Sequence, residues 1–166
     1  FGGCGIYHAM FVPAALTVRQ VEVRVLPAFE DDPRLPVLVS RALQEALEAS
    51  DEFVYEPDAQ EGYRAVAHVG DVITVPGEAQ RRVERRQVDI RLRSRAGEQL
   101  DAVGWGVQPE DLQHSSVQGA QDAVQLLGRQ RALNRAERAV VVATLQPSDV
   151  RMRRAALERI AEFADV

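Results

Sequence analysis

The sequence contains no lysine, only one cysteine and few aromatic residues. All 20 positively charged side chains are therefore arginine, and a single cysteine cannot form a disulfide within the chain. The 166 residues are enough for one domain held together by a hydrophobic core. No apolar run reaches the length of a membrane span, and a formal net charge of −5 argues against a chain that coats nucleic acid.

The sequence divides into an N-terminal arm and a folded domain. Residues 1–15 show no hydrophobic periodicity, and we interpret them as an irregular arm. Residues 16–166 carry the patterns of a single domain with C-terminal helices. The first pattern is an alternation of Val21, Val23 and Val25 with Glu22 and Arg24, which is typical of a half-buried strand.

The strongest helix pattern follows this strand. Asp32 suits the position that caps a helix N-terminus, and Pro33 suits the first helical position. Apolar residues then recur at steps of three and four, which predicts an amphipathic helix with one buried face. They are Leu35, Leu38, Val39, Ala42, Leu43, Ala46 and Leu47.

Further strands and helices complete the domain. Short alternating runs predict strands at 53–55 and 62–76, and residues 81–107 predict a hairpin. In the hairpin the inward side chains are expected to be Val88, Ile90 and Leu92, then Val103, Trp105 and Val107 on the return. Val83 has the opposite parity to Val88, which predicts a later strand start or a bulge between them. Helical spacing resumes near residue 119 and ends at Pro147, and Ser148 can cap a last helix.

This order of elements indicates the fold class. One strand and one helix are followed by several strands and then by helices. We therefore predict an α+β fold: an antiparallel or mixed sheet of about four strands, with two to three helices packed on one face.

The residues that usually carry chemistry do not form a recognisable site. His8, His68 and His114 lack the spacing of metal ligands, and Ser115 and Ser116 lack the glycines of a nucleophile elbow. We therefore expect no catalytic residues, no metal and no cofactor, apart from acyl chains on the cysteine discussed below.

A cluster of arginines is the main candidate for a binding site. Arg81, Arg82, Arg85 and Arg86 fall within one short stretch of an acidic protein. In one interpretation they lie on a solvated strand face, where Glu84 and Asp89 neutralise part of their charge. In the other they form an anion site, because the planar guanidinium binds phosphate with two parallel hydrogen bonds. Few aromatic residues interleave with them, so a phosphorylated glycolipid headgroup suits the cluster better than single-stranded nucleic acid.

Cys4 lies in the segment Phe1-Gly2-Gly3-Cys4, which has the layout of a lipobox: an apolar residue and two small residues before the cysteine. Small residues give a signal peptidase access to the bond before the cysteine, and acylation of the thiol then anchors the protein to a membrane. The segment therefore indicates a lipoprotein.

Several segments together resemble the lipopolysaccharide-assembly lipoproteins, the LptE family. Cys4-Gly5 and Tyr7 match the start of that family with one residue inserted. The Pro27, Phe29 and Asp31 positions match the end of its first strand, and Arg41-Ala42-Leu43 match its first helix. The resemblance covers most of the chain.

This resemblance implies a non-enzymatic lipoprotein at the periplasmic face of the outer membrane. Members of the family sit inside a large β-barrel protein, LptD, and support lipopolysaccharide insertion. They are described as binding lipopolysaccharide through basic surface residues. The resemblance therefore implies a barrel partner, a lipid anchor on Cys4 and lipopolysaccharide contact at Arg81, Arg82, Arg85 and Arg86.

Two other interpretations remain open. The strand and helix at residues 23–50 also resemble the N-terminal domains of curli-secretion and TolB-type envelope lipoproteins, which would make this chain an accessory of another envelope complex. Alternatively, the chain is a small cytosolic ligand-binding or enzyme domain in which Cys4 is incidental.

Overall fold

A computed structural model describes residues 15–145, with side chains described for residues 15–140. Residues Ala15–Gly128 form one compact unit, and Arg129 begins a second. Residues 1–14 of the predicted N-terminal arm and the predicted last helix lie outside the described residues. The first unit contains all of the strands given below.

The fold is α+β, as predicted, with a mixed sheet of five strands in the order β2-β1-β3-β4-β5. One of the five is the short strand at Phe53–Tyr55, which pairs with the first strand of the chain. The elements are β1 (Leu16–Val25), α1 (Arg34–Glu48), β2 (Phe53–Tyr55), β3 (Tyr63–Pro76), β4 (Arg82–Arg93), β5 (Gln99–Gly106) and α2 (Leu112–Leu145), with 3-10 turns at Pro27–Phe29 and Glu78–Gln80.

The sheet combines parallel and antiparallel pairing. β1 runs parallel to both of its neighbours, β2 and β3, and α1 provides the crossover from β1 to β2. β3, β4 and β5 form an antiparallel meander. Two irregularities interrupt the ladders: an extra residue, Arg19, in β1, and an extra residue at Gly70 and Asp71 in β3 opposite Gln87.

The core lies between one face of the sheet and the two helices. The predicted inner face of α1 is confirmed for Leu35, Val39, Leu43 and Leu47, which are almost fully buried. Leu38, which the spacing also assigns to this face, is 37% exposed. They belong to a cluster that includes buried side chains of β3 and β4, and against it pack the half-buried valines Val21, Val23 and Val25 of β1. The stripes of β1 and α1 thus share one core.

α1 begins at Arg34, one residue later than the sequence predicts. Pro33 takes the cap position, and Asp32 still accepts a hydrogen bond from the backbone N–H of Arg34 at 3.0 Å. The other carboxylate oxygen of Asp32 accepts from Gln113 Nε2 at 2.8 Å. The hydrogen bond from Gln113, together with the one from Arg34, lowers the pKa of Asp32. Asp32 thereby joins the starts of α1 and α2.

The predicted inner face of β5 is wrong. Val103 and Val107 are more than a third exposed, and the residues that face the helices are Ala102, Gly104 and Gly106. A Cβ atom on Gly106 would lie 1.8 Å from the carbonyl oxygen of Ser115 in α2. The backbones of β5 and α2 approach so closely that no side chain fits between them, so glycines replace valines on the inner face.

Substitution of Gly106 by alanine is expected to destabilise the fold by about 3 kcal/mol or more, because α2 must move away from β5 to admit the methyl group. Chemical denaturation monitored by circular dichroism measures the change in unfolding free energy.

The matched control is Val103→Ala on the opposite face of the same strand, where about 1 kcal/mol or less is expected. Equal losses for the two variants would mean that β5 and α2 are not in close backbone contact.

Candidate anion-binding hairpin

The arginine-rich segment projects from the end of the sheet. β1 pairs with β3 only as far as Val69, and β5 pairs with β4 only as far as Arg86. Within the described residues, the ends of β3 and β4 beyond these points therefore pair only with each other. We call this two-stranded extension, residues 72–85, the hairpin arm.

The tip of the hairpin arm is a tight turn. The backbone N–H of Gly77 donates to the carbonyl oxygen of Arg81 at 2.7 Å, which closes the end of the ladder. Ala79 and Gln80 inside the turn have φ angles of 54° and 61°, a conformation that residues with a side chain adopt infrequently. The turn places Arg81 directly after it, at the outer end of the arm.

Three of the four predicted arginines lie on the hairpin arm. Arg81 and Arg82 are exposed and Arg85 is half-exposed. Arg82 and Arg85 point to opposite faces because they are three residues apart in one strand. Within the part of the chain that the structure describes, none of the three has a carboxylate partner within 4 Å. The arm thus carries three guanidinium groups whose charge no ion pair within the described residues offsets.

Arg86 does not share this surface, and its assignment to an exposed anion site is corrected. It is only 5% exposed, and its guanidinium donates three hydrogen bonds inside the fold. Nε donates to Ser115 Oγ at 2.9 Å, Nη1 to the carbonyl oxygen of Gly70 at 3.1 Å and Nη2 to that of Pro109 at 2.9 Å. All three nitrogen atoms are therefore occupied at the base of the arm.

The three hydrogen-bond acceptors of Arg86 are neutral, and an aromatic ring covers its guanidinium. Its guanidinium carbon lies 5.0 Å from the centre of the Phe29 ring, in the geometry of a cation–π contact. Burial lowers the pKa of Arg86, and the negative charge of Asp71 raises it in part. The planar guanidinium donates to acceptors in β3, in the loop before α2 and in α2 itself. A lysine ammonium could not donate in these three directions with the same geometry.

The bulge in β3 belongs to the same structure. The sequence predicts a later strand start or a bulge between Val83 and Val88, but β4 runs without interruption and the extra residue lies across from it, at Gly70 and Asp71. Val83 consequently lies on the open face of the sheet, which is the face that points away from the helices. The parity of β4 also puts Arg86 on the same face as Val88, toward the helices.

The other residues considered for chemistry have structural surroundings. Ser115 and Ser116 are buried in the first turns of α2, where their hydroxyls donate to backbone carbonyls at 2.6 Å. His68 is exposed on the open face of the sheet, opposite Asp89. Among the described residues, no three histidine, cysteine, aspartate or glutamate side chains are grouped as a metal site would require. Cys4 lies outside those residues.

Neither of the two described helices combines the length and the apolar character that a membrane span requires. No protein-family model matches the chain, and a search of curated proteins found no significant match.

Replacing Arg86 by glutamine is expected to cost about 1–3 kcal/mol of stability, because buried acceptors on Ser115, Gly70 and Pro109 lose their donors. Arg86→Lys should recover only part of that loss, since one ammonium group cannot reach three acceptors in different directions. Urea denaturation of both variants measures the effect.

Arg82→Gln is the control, because it removes the same group from an exposed position of the same strand face. A change within about 0.5 kcal/mol is expected there. If Arg86→Gln were as mild as this control, the hydrogen bonds at the base of the arm would contribute nothing to stability.

Proposed function

We propose that this chain is a non-enzymatic lipoprotein of the outer membrane, of the lipopolysaccharide-assembly type, and that its hairpin arm binds the phosphorylated sugars of lipopolysaccharide. The observation that carries the proposal is a set of three arginines on the hairpin arm, of which Arg81 and Arg82 are exposed and Arg85 is half-exposed. The resemblance of the sequence to that family supplies the envelope setting.

The charge of the arm supports an anionic ligand. Three guanidinium groups within five residues repel one another, and the described part of the chain offers no carboxylate within 4 Å of any of them. A phosphate would offset this repulsion and accept paired hydrogen bonds from a guanidinium fork. A phosphorylated sugar headgroup carries such phosphates on a wide polar surface, which suits arginines on both faces of a narrow arm.

The anchoring of the arm supports a binding role as well. Arg86 fixes the base of the arm to the bulge in β3 and to the start of α2. A ladder that is held at its base loses less conformational entropy on binding than a free loop would. The arm therefore presents its arginines in a preorganised arrangement.

The lipoprotein part of the proposal depends on Cys4. Acyl chains on this thiol would hold the domain at a membrane surface and bring the hairpin arm close to lipid headgroups. A large β-barrel of the same membrane is the protein partner that the family resemblance implies, and another envelope complex would leave the anchoring unchanged.

The triple variant Arg81→Gln, Arg82→Gln, Arg85→Gln is expected to bind lipopolysaccharide at least tenfold more weakly, equivalent to about 1.4 kcal/mol. Its stability should change little, because these side chains are exposed or half-exposed. Isothermal titration against lipopolysaccharide and against its dephosphorylated form, at two salt concentrations, measures the effect.

The matched control is Arg91→Gln, Arg93→Gln, Arg95→Gln, which removes the same charge near the other end of β4. Binding should persist in this variant. Equal weakening in both triple variants would show that only net charge matters and would contradict a site on the arm.

Cys4→Ser is expected to release the protein from the membrane fraction into the soluble periplasmic fraction, because no thiol remains for acylation. Cell fractionation and the intact mass of the native protein provide the measurements. A native mass that corresponds to a free thiol would contradict the lipoprotein assignment while leaving the result for the arm unaffected.

A further inference from the structure

The two edges of the sheet differ, because α2 side chains bind two backbone groups at one edge and part of the other edge, called the open edge, has no neighbouring strand within the described residues. At the β5 edge, the backbone N–H of Trp105 donates to Asp122 Oδ2 at 2.9 Å and that of Val107 donates to Gln118 Oε1 at 3.0 Å. Side chains of α2 therefore accept hydrogen bonds from two outward N–H groups of this edge. At the opposite edge, β2 pairs with β1 only from Leu16 to Val18, and no other strand of the described chain continues along residues 20–25.

The backbone groups exposed at the open edge can be identified. On the β2 side, the carbonyl oxygen of Val18 accepts from the N–H of Glu56 at 2.9 Å. In a strand of L-residues, the face of the side chain fixes the edge to which the same residue's N–H and C=O point. Val21, Val23 and Val25 share the core-side face with Val18. Their N–H and C=O groups therefore point out of the open edge.

A groove runs beside these groups. It has a volume of about 460 Å³ and lies between Val23 of β1 and the exposed side of α1. Its helix side consists of Pro36, Val37, Ser40, Arg41 and Gln44, and Val37 is 67% exposed. An added strand would thus find backbone partners at the edge and space for its core-side side chains.

The charged residues of β1 are complementary to those of a second copy of β1 that runs antiparallel to it. We propose that two copies of this chain pair antiparallel along the open edge, with Val23 on the two-fold axis. In this register Val23 lies opposite the partner's Val23, and Val21 lies opposite the partner's Val25. All of these residues direct their N–H and C=O groups at the other chain, so every exposed backbone group from Val21 to Val25 gains a partner.

The same register places opposite charges together on the open face. Glu22 of each chain lies opposite the partner's Arg24, at a position where side chains approach most closely. Within one chain, Glu22 already bonds Arg24 at 2.8 Å and also Arg64, and hydrogen bonds from Arg24 and then Arg64 lower its pKa. Arg24 remains 59% exposed and is free to bridge the two carboxylates.

A shift of one residue would destroy this match. It would put the valines of one chain opposite the charged residues of the other, and it would turn the core side of one β1 toward solvent. The register is therefore specified by sequence. Two five-stranded sheets would join into one continuous sheet, and the two α1 helices would face each other across the grooves.

The test uses the full chain and exchanges the charges. Sedimentation equilibrium over a concentration series is expected to show a monomer–dimer equilibrium for the natural sequence. Glu22→Arg alone places arginine opposite arginine, and Arg24→Glu alone places glutamate opposite glutamate. Each variant should dimerise at least tenfold more weakly.

An equimolar mixture of the two variants distinguishes this register from a general loss of folding. In the heterodimer each arginine of one chain lies opposite a glutamate of the other, so association should recover. Val23→Pro is the second variant: it removes one outward N–H without touching the β3 ladder, and it should give a folded monomer.

Three outcomes would overturn the proposal: a natural chain that is monomeric at every concentration, single variants that dimerise normally, or a mixture that does not recover. A folded natural chain that stays monomeric but binds an extended peptide at this edge would assign the edge to a strand of a different protein. These outcomes are independent of lipopolysaccharide binding by the hairpin arm.

Discussion

The buried guanidinium of Arg86 is the interaction on which the hairpin end of the molecule depends. It binds a carbonyl at the β3 bulge, a carbonyl in the loop before α2 and a hydroxyl in the first turns of α2, while the Phe29 ring covers it. Together with β4, which carries Arg86, these groups come from four separate parts of the sequence. A buried charge is costly unless its hydrogen bonds are complete, so the elements must assemble together around it. The position of Arg81, Arg82 and Arg85 on the hairpin arm therefore depends on the buried Arg86.

Parity in β4 contains the information that separates Arg86 from its neighbours. Val88, Ile90 and Leu92 alternate toward the core, and two residues before Val88 the same face is occupied by Arg86. The alternation of side chains along β4 predicts that Arg86 points toward the core, whereas the density of arginines in the sequence suggests a single surface patch. What the sequence cannot supply is the set of acceptors, because Gly70, Pro109 and Ser115 meet only after the sheet and α2 are in place. The fold class and the inner face of α1 were predictable because each depends on local periodicity.

The reversed face of β5 shows where hydrophobic alternation misleads. Val103, Trp105 and Val107 form the more apolar set, yet α2 lies against the glycines between them. Hydrophobic periodicity shows which residues are apolar, but it contains no information about how closely the backbones of a strand and a helix approach each other. Gly119 of the helix, placed against Val88 and Gly106, is the matching signal on the other element. Small residues at corresponding positions of a strand and a helix indicate such a contact better than hydrophobicity does.

The parallel pairing of β1 with β3 also has a consequence for the order in which the chain folds. β3, β4 and β5 are joined by short turns, so their meander closes small loops, whereas Val21 must wait for Ala65 before its ladder can form. Contacts between residues distant in sequence form slowly because the loop entropy is paid before they stabilise anything. During synthesis β1 leaves the ribosome well before its partner. Its valines therefore remain without their ladder partners until β3 has been synthesised.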